Sequence, residues 1–151
     1  MARAFSLHYV QTNDARLSDL VFEVADFLVN RQLHAGVCPY PELYGAINVR
    51  KPGLIGADTA HYLSALADAL MLAKRVGDPQ RTERYRRATS AAARFILQLE
   101  VSKVGCYYIR SPRDATGGVR RAPWDGRIRV DHCAAAVTSL SRARRALYGQ
   151  R

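Results

Sequence analysis

Lysine is scarce in this chain. Of 23 basic residues only Lys51, Lys74 and Lys103 are lysines, and the rest are arginines. Cysteine is sparse too: Cys38, Cys106 and Cys133 are an odd number with no CxxC spacing, which favours reduced thiols over a disulfide framework and offers no zinc-finger pattern. No apolar run approaches the roughly 18 residues of a membrane span. The first residues, Met1 to Phe5, carry one arginine and no apolar stretch of the kind that leads a secreted protein, so a cytoplasmic protein without membrane contact is expected. Neither a Walker loop nor a dinucleotide fingerprint is present, so no nucleotide cofactor is expected.

What remains is an arginine- and alanine-rich chain of 151 residues with a formal net charge of +10, long enough to bury one ordinary core. A field of that sign favours nucleic acid or other polyanions. The arginines are spread over several segments instead of forming one arm with interleaved aromatics, so nucleic-acid binding is the second reading and not the first.

Hydrophobic periodicity predicts four helices. The first starts near Asn13 or Asp14 and runs to Gly36, with Leu17, Leu20, Val21, Val24, Phe27 and Leu28 on its apolar face. A Pro/Gly loop follows over 36–57, with short extended pieces near Ala46 to Val49. The second helix covers about Asp58 to Arg75. Gly77-Asp78-Pro79 then supplies a left-handed stop, an N-cap and a first-turn proline in succession, so the third helix (79–101) should fold back as an αα-hairpin. Its inward residues are Tyr85, Ala88, Ala92, Phe95, Ile96 and Leu99. A second loop spans 102–128. The last helix runs from Val130 to Tyr148 with Val137, Leu140 and Leu147 buried.

The chain also repeats itself. Phe27-Leu28-Val29 matches Phe95-Ile96-Leu97, and Cys38-Pro39-Tyr40 matches Cys106-Tyr107-Tyr108, at the same offset of 68 residues. Gly45-Ala46 against Gly118-Val119, and Asp58 against Asp131, keep the order. Such a period implies stacked units, none of which buries its face alone. The expected fold is therefore all-α, with two αα-hairpin repeats over residues 13–151 and residues 1–12 as the tail of a preceding element.

The segments Gly77-Asp78-Pro79-Gln80-Arg81, Ala93-Arg94-Phe95-Ile96-Leu97-Gln98, Gly117-Gly118-Val119 and Arg129-Val130-Asp131-His132 resemble parts of the (α/α) toroid. Six-hairpin glycosidases, sugar epimerases, lanthionine-synthetase-like enzymes and terpenoid-cyclase-like proteins share that fold. The resemblance implies inner helices at 58–75 and 130–148 and outer ones at 13–35 and 79–101. It also implies a ligand cavity at the loop-rich end. A closed toroid has five to seven hairpins, so the resemblance implies an incomplete toroid here, completed by further copies or by the remainder of a larger chain, or else an open, purely structural hairpin array.

Asp58, His61, Asp131 and His132 then open the two inner helices at the cavity end. A carboxylate pair suits glycoside hydrolysis, and His beside Asp suits the acid–base chemistry of sugar epimerisation. Asp is also a favoured N-cap, which is the competing role for both aspartates. Tyr40, Tyr44, Tyr107, Tyr108 and Trp124 gather in the same loops and suit stacking on sugar rings. Arg120 and Arg121, beside Gly117-Gly118, suit an anionic group. Cys38, Cys106, His132 and Cys133 are adequate zinc ligands by type, as the prenyltransferase-like resemblance invites, but lack the spacing, so no metal is expected. A carbohydrate or other small molecule is the expected ligand.

Overall fold

The computed structural model describes residues 15–49, 55–103 and 109–149. These form α1 (Ala15–Asn30), a 3-10 turn (Pro41–Leu43), α2 (Thr59–Val76), α3 (Pro79–Gln98), a single turn α4 (Pro112–Ala115), β1 (Arg120–Ala122), β2 (Asp125–Ile128) and α5 (Val130–Tyr148). The architecture is mostly helical with one small antiparallel hairpin, β1 against β2, turned by Pro123-Trp124. Among the described residues no helix is long and apolar enough to cross a membrane. The expected N-caps Asn13 and Asp14, the tail 1–12, and Cys106, Tyr107 and Tyr108 lie outside the described residues.

The centre of the core is α2. Leu63, Leu66 and Leu70 are fully buried on it, each contributing about 2 kcal/mol by burial. It packs most extensively against α5 and α3. The α2–α3 junction follows the sequence as expected. Gly77 turns left-handed at φ 77°, Asp78 accepts the Arg81 N–H at 2.9 Å, and Pro79 begins α3 where no N–H is needed. The inward residues expected on α3 are all buried. Tyr85 ties α3 to α1, its hydroxyl donating to the Asp26 carboxylate at 2.9 Å. Burial first, and the hydrogen bond to Asp26 second, push that phenol well above its usual range.

Several expectations need correction. The first helix ends at Asn30, not near Gly36, because Arg31 and Leu33 leave the helix to pair with Asn48 and Ala46. The third ends at Gln98, not at 101, because Leu99 and Val101 do the same with Arg120 and Gly118. The second loop contains a hairpin. On α5, Val137 points outward, since the helix packs through Ala136, Ser139, Ala143 and Ala146. On α1, Val21, Phe22, Ala25 and Leu28 are buried, while the expected Leu20, Val24 and Phe27 are exposed.

One backbone pattern occurs twice. In the first loop the Leu33 N–H donates to Ala46, the Gly45 N–H to Leu33, and the Asn48 N–H to Arg31. In the second the Val101 N–H donates to Gly118, the Gly117 N–H to Val101, and the Arg120 N–H to Leu99. The helix-end partners shift by 68 residues (Leu33 to Val101) and the returning partners by 72 (Gly45 to Gly117). Both glycines take positive φ, 94° at Gly45 and 81° at Gly117, where a side chain is strained. The match is one residue removed from the sequence pairing of Gly45 with Gly118.

Candidate functional site

The starts of α2 and α5 and the β1–β2 hairpin meet around a cleft of about 410 Å³. Its walls are Ile55, Gly56, Ala57 and Asp58 on one side and Arg121, Ala122, Trp124, Asp125, Arg127 and His132 on the other. The walls touch through backbone: the Ala57 N–H donates to the Arg121 carbonyl at 2.8 Å. Gly56 permits this approach, because a Cβ there would run into the same carbonyl oxygen.

His132 sits in the first turn of α5 and is 92% buried (8% exposed). Its Nε2 lies 4.0 Å from Asp58 Oδ1, and its buried Nδ1 has no hydrogen-bond partner among the described residues. Asp58 precedes α2 in the N-cap place, yet its backbone is helical and its side chain makes no capping bond. The carboxylate is 43% exposed. Capping, the competing explanation for this aspartate, therefore does not account for it.

Asp131 stands differently. Arg129 occupies the N-cap place of α5, and Asp131, inside the first turn, is paired with it at 2.9 Å. That guanidinium holds the carboxyl down at about 2. Asp131 does not line the cleft. His61, exposed on α2, does not line it either.

The hairpin supplies Asp125 and Arg127, which the sequence reading did not assign, beside Arg121 and Trp124, which it did. Asp125 is gripped by Arg127 at 2.6 Å and by Arg121 at 3.3 Å, and Arg127 first of all holds its carboxyl far below the usual range. Trp124, at the hairpin turn, is 60% exposed and forms the apolar wall. Pro123-Trp124-Asp125-Gly126 was the available signal, a proline turn leading into Asp-Gly. The two aspartates and two arginines of the cleft cancel in formal charge.

The remaining candidates are dispersed. Arg120 donates to the carbonyls of Gln98 (2.9 Å) and Leu99 (3.4 Å), closing the end of α3 instead of reaching the cleft. Tyr44 packs on the core and Tyr40 is exposed beside the 3-10 turn; neither lines the cleft. Cys38 is buried in the core, and Cys133 Sγ accepts the Val119 N–H at 3.3 Å. Among the described residues no cluster of three His, Cys, Asp or Glu could hold a metal ion.

Compared with known proteins, the chain matches no family model, no curated protein and no solved structure.

Proposed function

We propose that this chain is a segment of a carbohydrate-active protein, built as two αα-hairpin repeats of an incomplete (α/α) toroid, with the cleft as its sugar-binding rim. The recurring pattern of loop hydrogen bonds supports the repeat, with α2 and α5 as inner helices and α1 and α3 as outer ones. The observation that carries the ligand reading is the cleft composition: one exposed indole beside a carboxylate–imidazole pair, Asp58 and His132, with charges otherwise balanced. An indole face stacks on the C–H face of a sugar, and flanking polar groups orient its hydroxyls.

Asp125 and Asp131 are each locked to arginine, so neither serves as a proton donor near neutrality. This favours proton transfer by Asp58 and His132, the epimerase-like chemistry, over the two-carboxylate chemistry of glycoside hydrolysis. Asp58 is the group that contacts substrate, and His132 sits behind it. Turnover requires the cavity to be completed by further hairpins.

Trp124 is the single tryptophan of the chain, so its fluorescence reports directly on the cleft. Titration with a panel of neutral mono- and oligosaccharides should give a saturable change that hardly depends on salt. Asp58→Asn should weaken it, and Asp131→Asn should leave it unchanged. Absence of any response to sugars sinks this reading. A response to heparin or polyphosphate that collapses with added salt would instead establish the alternative, a basic module for nucleic acid or another polyanion. Arg121, Arg127 and Arg129, around a second pocket, favour that alternative, although each already shares a carboxylate.

A further inference from the structure

The exposed apolar residues of α1 have buried counterparts in the same molecule. Shifted by the 68 residues that relate Leu33 to Val101, Leu20, Val24 and Phe27 fall on Ala88, Ala92 and Phe95 of α3. In α3 these three are at most 4% exposed, because α3 packs on α2. In α1 they are 38%, 39% and 46% exposed. The face that buries α3 on its inner helix is therefore present on α1 without a partner among the described residues.

The other half of that missing contact is also present. α2 is buried around most of its circumference, whereas α5 is buried along one stripe. Its open side carries Val130 (87% exposed), Ala134, Val137 (67%) and Ser141, spaced four, three and four apart as on a packing helix. The charges match in part: Arg16 and Arg31 stand at the two ends of the α1 stripe, Arg31 over the Phe27 ring at 5.5 Å. Asp19 and Glu23 flank the α1 stripe in its first half, and Arg144 and Arg145 flank the α5 stripe in its last half. Antiparallel packing, the sense in which α2 and α3 run, brings acids onto arginines. None of these four charges has an ion pair among the described residues.

We infer that α5 of one copy docks against α1 of a second copy, repeating between chains the contact that α2 and α3 make within one. The interface joins unlike faces, so it builds a ring or a chain of copies and not a two-fold dimer. It rests on the repeat reading above and is independent of the sugar reading. Loss of self-association leaves the Trp124 titration untouched, and the reverse also holds.

The test is the solution mass of the full chain by light scattering. The mass should exceed 16.8 kDa and rise with concentration. Val24→Asp on α1 and Val137→Asp on α5 should each return it to the single-chain value with the helical circular dichroism intact, since both sites are exposed. An equimolar mixture of the two variants should form a heterodimer through the one sound face that each retains. Phe27→Glu is a second α1 variant and should behave as Val24→Asp does. Wild-type protein that stays at 16.8 kDa at roughly 100 µM overturns the proposal. So does an α1 variant that still self-associates, which would mean that α5 pairs with α5, or a mixture that stays monomeric.

Discussion

The two chain reversals share a backbone and differ in what they carry. Both leave a helix by the same turn, pair antiparallel with a returning segment, and use a positive-φ glycine to do so. Between Ile47 and α2 the described residues of the first form no hairpin. After Val119 the second extends into the β1–β2 hairpin, which brings Arg121, Trp124, Asp125 and Arg127 to the cleft. The shared hydrogen bonds set where α1 and α3 end. The added hairpin sets what the cleft offers to a ligand. Scaffold and chemistry are thus separable, and substitutions should divide along that line.

The largest effect is expected at Gly45. A side chain there meets both an unfavourable φ and the backbone carbonyl of Ala91, so Gly45→Ala should cost about 3 kcal/mol or more in denaturant unfolding. Its counterpart Gly117 faces open space, and Gly117→Ala should cost only the φ strain, about 1–2 kcal/mol. Equal costs would break the comparison.

Arg120→Ala removes two bonds to the end of α3 and should cost about 1 kcal/mol in the same measurement. Asn48, at the equivalent place in the first reversal, keeps its backbone pairing when shortened, and Asn48→Ala should cost less. Trp124→Ala should change stability by no more than about 0.5 kcal/mol, because this side chain is mostly outside the core, while abolishing the sugar binding proposed above.

The smallest effect concerns pH. Arg129 lowers the Asp131 carboxyl to about 2, against about 3.9 for a free aspartate. The folded state therefore prefers the ionised form. The contribution is present above roughly pH 4 and is lost as pH falls through about 2. A carbon-detected NMR titration should place the Asp131 midpoint there, and Arg129→Ala should raise it toward the free value.

Much of this molecule was legible in its sequence. The Gly77-Asp78-Pro79 junction, the span of α5 and the inner face of α3 follow from capping chemistry and 3.6-residue periodicity, which are local. Helix ends at Asn30 and Gln98 were not legible, because they are set by pairing with residues 12 or more positions away. Apolar stripes on α1 gave no clue to which one the chain itself covers. Periodicity reports that a face is apolar, not whether its partner is present. In the cleft, Asp58, His132 and Trp124 were found from residue type and position. Asp125 and Arg127 were missed because β1 and β2 are three and four residues long and polar, with no alternation to mark them as strands. Asp131, the first expectation from its place at the mouth of the last helix, is paired with Arg129 and does not line the cleft.

The cleft walls come from segments more than sixty residues apart, around Gly56 and Arg121, joined there by one backbone hydrogen bond. Anything bound between them acts as a tether across the whole α2–α5 pair. By mass action a ligand at one hundred times its dissociation constant adds about 2.7 kcal/mol to the folded state. The melting temperature is thus a readout of occupancy that needs neither turnover nor a label. A thermal scan against a library of small molecules would search for the ligand with no prior assumption about its class.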